Sequence, residues 1–297
     1  MTFHASTCQL PDRGVVRVEG AEARAFLQGL VTCDMVKVRG EAAAYGALLS
    51  PQGKILFDFL VAGHDGGFLF DLPLELTEAF VKRLGFYRLR AKIVIEILSG
   101  GAGIDTQSPS DSVVVVQWGD DAPVAGAAAS YADPRAPLGR RSIVPRGLAA
   151  GLPDLASAYA ARCVEAGVPK GGVDFAYGEA FPHEANLDLL HGVDFGKGCF
   201  IGQEVVARVE HRGTARKRIV RVAFKGPMLE AGTKVLAGER EVGTVGASYF
   251  GHALATLRID RALEAAAAGV PLTAGRATLT LLDHAAISGG GEQAKAP

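Results

Sequence analysis

The richest chemistry in this 297-residue chain lies between Phe181 and Arg218, centred on Lys197-Gly198-Cys199-Phe200-Ile201-Gly202-Gln203-Glu204. A thiol between glycines, with Lys197 and Arg208 close in sequence and a helix-compatible run from Gln203 to Glu210 behind it, suits a reactive cysteine. Positive charge or a helix N-terminus favours thiolate, the form that attacks carbon and binds metal. The same residues fit a buried, inert cysteine equally well, because free cysteine is among the most buried residue types. Asp58 is the second candidate. It sits in Leu56-Phe57-Asp58-Phe59-Leu60, where strand alternation turns it away from Phe57 and Phe59. A carboxylate inside an apolar strand is costly to bury without a partner, so its face is either a ligand face or open to solvent.

Other charged residues have plain readings beside functional ones. Glu204 and Arg208 are spaced for a helical ion pair, which contributes only about 0.3–0.5 kcal/mol. Arg212, Arg216, Lys217, Arg218 and Arg221 make one local basic cluster, suited to RNA phosphates or to a solvated linker. Generic signatures fail. Gly192 to Lys197 is too short for a phosphate loop, and Gly198 stands where Ser or Thr would bind magnesium. Gly101-Ala102-Gly103 lacks the third glycine of a dinucleotide fingerprint. His183, His191 and His211 are too irregularly spaced to announce a metal site, so no metal is expected, and there is no GxSxG elbow.

Composition sets the frame. Apolar residues make up 48% and charged residues 21%, as in globular proteins, and a net charge of -1 gives no global pull toward nucleic acid. Cys8, Cys33, Cys163 and Cys199 form no CxxC pair, which argues against a disulfide framework or structural zinc and for a reducing compartment. The start resembles no secretory signal, and the longest purely aliphatic run is only Val113 to Val116. The expectation is a soluble, cytoplasmic protein without membrane contact.

The elements that must position these residues follow from periodicity. A strand at Val15 to Val18 precedes a helix over 21–30 carrying Ala23, Phe26, Leu27 and Leu30. Strands at Ala43 to Leu49 and Ile55 to Val61 flank a turn-rich hairpin, and a third spans Phe68 to Leu72. A helix over Leu74 to Leu84 and a strand over Ile93 to Ile97 complete a βαβββαβ order, which favours α+β layers over a doubly wound sheet. Residues Ser99 to Ser112 read as a loop. Ser112 to Trp118 and Arg141 to Val144 read as strands, and Leu152 to Ala166 as a helix ending at Gly167. Beyond Gly213, short strands at Arg218 to Phe224, Thr233 to Leu236, Arg240 to Tyr249, Ala253 to Ile259 and Ala277 to Leu282 suggest a small barrel. The expected domains are 1–105, 106–213 and 214–286, with the two lobes free to interleave, and a disordered tail at 287–297.

KGCFIGQEVVAR at 197–208 closely resembles the KGCYxGQExxxR signature of the YgfZ-type folate-binding proteins, relatives of the glycine-cleavage T-protein. FLQGLVTCD at 26–34, ALLSPQGKILFDFLV at 47–61, DPRAPLGRR at 133–141 and FPHEANLD at 181–188 agree in order, so the resemblance spans nearly the whole chain. It implies two ferredoxin-like α+β lobes and a C-terminal β-barrel around a central hollow for tetrahydrofolate or a derivative. It also implies a role in assembling or repairing iron-sulfur clusters in client enzymes, including those that thiolate tRNA, with Cys199 as the key residue. By similarity to the T-protein, Asp58 is the acid beside the folate nitrogens and Glu184 the pterin-recognising carboxylate, which can accept two N–H bonds from a guanidine-like edge. Lys197, Gln203 and Arg208 either contact ligand or hold the loop. T-proteins generally lack a cysteine at the Cys199 position, and their RTGYTGE-like motif is not evident here. A maturation factor partnered by folate and client or assembly proteins is therefore preferred, with direct nucleic-acid binding disfavoured. A folate-dependent aminomethyl or one-carbon transferase, using Asp58 as acid-base group, is the alternative.

Overall fold

The computed structural model describes residues 6–99, 111–119, 122–213 and 215–283. Its contacts divide the chain into two units, the first comprising Met1–Pro51, Leu56–Tyr159 and Leu190–Ile201, the second Gln52–Ile55, Ala160–Leu189 and Gly202–Pro297. The expected loop between Ser99 and Ser112 and the tail at 287–297 lie mostly or wholly outside the described residues.

In chain order the first unit contains β1 (Ser6–Gln9), β2 (Arg13–Glu19), α1 (Ala23–Gln28), β3 (Ala44–Leu49), β4 (Ile55–His64, whose first residue counts with the second unit), β5 (Gly67–Pro73), α2 (Thr77–Arg88), β6 (Val94–Ile97), β7 (Ser112–Trp118), β8 (Ala129–Ala132) and β9 (Arg140–Pro145). The next helix, α3 (Ala156–Glu165), is where the chain passes to the second unit. Two sheets result, ordered β3-β4-β5-β2-β6 and β1-β7-β9-β8.

Alternation explains the five-stranded sheet. Val16 and Val18 of β2, Phe57 and Phe59 of β4, and Phe68 and Phe70 of β5 point into one core, which Leu27 of α1 and Phe80 and Leu84 of α2 complete. Phe59 meets Phe70 and Phe80 at centroid separations of 4.9 and 5.7 Å, within the range of favourable tilted ring pairs. In the other sheet Val113 to Val116 of the central strand β7 are all buried, so both faces of the sheet are covered there.

The structure differs from the sequence reading in particulars with physical reasons. β1 is short and polar, yet it pairs with β7 through Cys8↔Val116, so a strand within the range 1–105 belongs to the second sheet. The strand β8 has no apolar alternation and exists through pairing with β9. The helix α3 begins at Ala156 rather than Leu152, with the Ala156 N–H on the Asp154 carboxylate at 3.3 Å.

The second unit holds α4 (Gln203–Arg212), β10 (Lys217–Lys225), β11 (Lys234–Ala237), β12 (Arg240–Tyr249), β13 (His252–Arg258), α5 (Ile259–Ala267), β14 (Leu272–Ala274) and β15 (Ala277–Leu281). The six strands form a closed barrel, β10-β13-β12-β11-β14-β15, so no strand edge is left open. Ile259 starts α5 instead of ending a strand, and Ala262 and Ala265 bury its inner face in the barrel core. A clasp closes the barrel: Arg221 donates its backbone N–H to Asp283 Oδ2 at 2.7 Å and its guanidinium to Oδ1 at 2.6 and 2.8 Å. The fold class is thus α+β with a C-terminal barrel, as the sequence implies.

Candidate functional site

Cys199 is exposed, unpaired with any other cysteine, and carried by a turn anchored at its base. Asp194 Oδ1 accepts the N–H groups of Gly196 and Lys197 at 2.9 and 3.1 Å, while Oδ2 meets Lys37 Nζ at 2.5 Å. Burial pushes the Asp194 carboxyl up, but Lys37 and those N–H groups outweigh it and hold the group below its ordinary range. Lys197 holds the loop. Its buried Nζ donates to the carbonyls of Val31 and Cys33 at 2.5 and 2.8 Å and lies 5.4 Å from the Phe200 ring centre. Burial depresses the Lys197 ammonium, partly offset by Asp34 and Asp194. Cys33, fully enclosed, is pushed up to about 12, first by burial, so it is held as the neutral thiol. Two cysteines in one unit therefore have opposite surroundings. Only Cys199 is presented outward.

Lys197→Met leaves two carbonyls without their donor, at about 1–3 kcal/mol per unsatisfied buried group. A loss of that order in denaturant unfolding, with Cys199 becoming more rapidly alkylated as its turn loosens, is the expected result.

Asp58 faces protein, not solvent: it is 4% exposed and accepts the Tyr45 phenol at 3.1 Å. Around it lies a buried charge network that ties the two sheets of the first unit. Asp71 on β5 receives Arg13 Nε at 2.6 Å and an Arg141 guanidinium nitrogen at 2.7 Å, and Tyr131 Oη at 3.2 Å. Arg141 also reaches Asp133 and the Tyr159 hydroxyl, both at 3.1 Å. Arg135 forks onto Asp133 at 2.7 and 3.0 Å, and its guanidinium sits 5.4 Å from the Tyr45 ring centre, beside the phenol that holds Asp58. The arrangement fixes a carboxylate in place. Sequence reasoning recovered Asp58 alone; DPRAPLGRR supplied Asp133, Arg135 and Arg141 only as a turn and a resemblance.

Asp71 and Asp133 both lie below the ordinary carboxylate range. Burial alone would raise them, but Arg13 and Arg141 at Asp71, and Arg135 and Arg141 at Asp133, prevail. With folded values under the unfolded value of about 4, the unfolded chain binds more protons in acid. The contribution is complete above about pH 4 and is lost as pH falls through the folded values. Urea midpoints are expected to drop steadily below about pH 4, less steeply in Asp133→Asn.

In the second unit Glu184 is half-buried and accepts the Phe181 N–H through Oε2 at 3.0 Å. It lines a cavity of about 400 Å³ with Lys54, Asp174, Phe175, Glu179 and Lys217. Gln203 is the first residue of α4, behind Gly202, whose φ of 80° is one that glycine adopts without strain. Arg208 is exposed and pairs with Glu204 at 3.0 Å. Spacing missed one cluster: ligand atoms of His183, Asp188 and Glu210 lie within 4.8 Å of one another. Arg218 forks onto both Asp188 oxygens at 2.7 Å, and His183 Nε2 meets Glu210 at 2.9 Å. The basic cluster is thus partly spent, Arg218 on Asp188 and Arg221 on Asp283.

Comparison with known proteins bears on these features. Residues 216–286 match the family model for the CAF17 C-terminal beta-barrel domain. Iron-sulfur cluster assembly factor IBA57 of Mus musculus is 33% identical over 261 residues, 77% of this chain and 69% of that protein. The chain belongs to the IBA57 family. An IBA57 homologue of Pyricularia oryzae is 34% identical over 222 residues, and the chain spans about half, 55%, of that relative's length. Both relatives are described as mitochondrial. Among solved structures, glycine cleavage system aminomethyltransferase T of Bartonella henselae superposes with a TM-score of 0.72 over 94% of this chain and 84% of its own, at 16% identity. That likeness concerns fold. The resemblance read from sequence thus resolves to IBA57 relatives on a T-protein-like fold, and among the described residues no helix is long and apolar enough to cross a membrane.

Proposed function

We propose that this chain assists iron-sulfur cluster assembly, with Cys199 releasing its proton and donating a sulfur lone pair to cluster iron. The observation that carries the reading is an exposed thiol on a turn braced by Asp194, Lys37 and the buried Lys197, in a member of the IBA57 family. The cluster is cargo, handed between this thiol and assembly proteins or client enzymes; tRNA-thiolating enzymes are among the proposed clients. A reduced folate, tetrahydrofolate or a derivative, is the proposed small-molecule ligand. Glu184 supports it by keeping Oε1 outside any hydrogen bond among the described residues, which suits an acceptor for a pterin N–H. Asp58, fixed by Tyr45 in the first unit, is carried separately by the one-carbon reading below. Folate, when bound, would supply a carrier for one-carbon units.

Two measurements test the reading. Iodoacetamide labelling of Cys199 as a function of pH is paired with assays of cluster-dependent enzymes in cells carrying Cys199→Ala. An unreactive thiol together with normal enzyme activities would overturn the assignment. Calorimetry with tetrahydrofolate tests the ligand separately: saturable binding weakened in Glu184→Gln is expected, and no heat of binding removes folate. The buried, phenol-bonded Asp58 keeps a second reading in play, a one-carbon transferase. It requires methylene-tetrahydrofolate to form from an aminomethylated carrier, with Asp58→Asn abolishing the product.

A further inference from the structure

Among the described residues, the edge of the five-stranded sheet formed by β6 carries no further strand. β6 is its terminal strand and pairs only with β2 among the described residues. Leu98 N–H donates to the Val15 carbonyl, and hydrogen-bonded pairs alternate along an antiparallel ladder. Val94 and Glu96 therefore spend their backbone groups on β2, while Ile95 and Ile97 turn theirs outward. The strand reads Val-Ile-Glu-Ile, with neither the lysine nor the proline that commonly blunts such an edge.

Beside it, large apolar side chains stand in solvent: Phe86 is 65%, Leu89 90% and Val94 58% exposed. Leu89 ends α2 with φ 41° and ψ -104°, a strained backbone for a residue with a side chain at a position that glycine usually fills. Arg88, Arg90 and Lys92 line the same depression as Phe86 and Leu89, and none of their side chains meets a carboxylate among the described residues. Glu19 and Asp65 line an adjoining depression with Arg88 and Lys92, so the positive charge is concentrated on the side of Phe86, Leu89 and Arg90.

We propose that this corner docks an acidic, extended segment of a partner protein, which adds to β6 as a strand and seats apolar side chains against Phe86 and Leu89. Charge and backbone select the occupant together. A lipid surface or an RNA answers the cations but offers no strand to the outward groups of Ile95 and Ile97, and a second copy would bring the same cations against each other.

The probe is a short fluorescent peptide alternating valine with glutamate, read by anisotropy. Saturable, salt-weakened binding is expected, with no binding of the lysine counterpart and a loss on the order of ten-fold for the Arg88→Glu, Arg90→Glu double variant or for a peptide N-methylated on its pairing face. Leu89→Gly is expected to bind the peptide more weakly while its melting temperature holds or rises, which separates docking from unfolding. Absent binding, equal binding of the lysine peptide, or indifference to the variants overturns the proposal. So does co-sedimentation with anionic vesicles, or self-association, that replaces peptide binding and disappears in the same variants.

Discussion

Arg141→Met is expected to lower the free energy of unfolding by about 3–5 kcal/mol, the range for removing one partner of a buried ion pair. Arg141 is nearly solvent-free and bonds Asp71, Asp133 and Tyr159 at once, so methionine fills its volume and leaves two carboxylates short of a cation. Asp71 retains Arg13 and Asp133 retains Arg135, which sets the loss within that range rather than beyond it. Denaturant unfolding at neutral pH measures the effect. A change under about 1 kcal/mol, the scale of an exposed pair, would show that the network is solvated and not structural. Replacing Asp71, Arg13 and Arg141 together by apolar residues is expected to cost less than Arg141→Met alone, since only Asp133, which keeps Arg135, is then short of a cation.

Cys199→Ala is expected to do the opposite. The thiol is exposed, so stability should stay within about 0.5 kcal/mol of the parent, while cluster-dependent enzymes in cells relying on this variant lose most of their activity. Aconitase-type activity and a thermal melt on the same variant give both readouts. A destabilised protein would implicate the turn, and a stable protein with full activity would remove the thiol from function. Cys33→Ala serves as the contrast: it opens a buried void, so its cost falls on stability.

Local signals carried much of the architecture. Alternation located β2, β4, β5 and the barrel strands because each has one apolar face turned to a core. β14 escaped because three residues carry no period; it exists through pairing with β11 and β15. α5 escaped because its small buried face is made of alanines, which signal little. At the candidate site, Asp58 was legible as an acid inside an apolar strand. Its surroundings were not, because Asp71 and Arg141 meet across 70 positions of sequence and Tyr45 and Arg135 across 90, and only the folded sheets bring them together. Lys197 stood beside the thiol in sequence, yet its ammonium points to Val31 and Cys33, a contact across more than 160 positions.

The Arg221–Asp283 clasp has a consequence for how the protein is made. β10 is the first barrel strand to be synthesised, but the strand that closes the barrel beside it, β15, ends at Leu281, and the carboxylate that locks Arg221 follows two residues later. The barrel cannot shut while the ribosome still holds that segment. A chain cut before β15 would leave β10 with an open flank and Arg221 without its carboxylate, so the barrel is sealed only once residues 277–283 are free to pair.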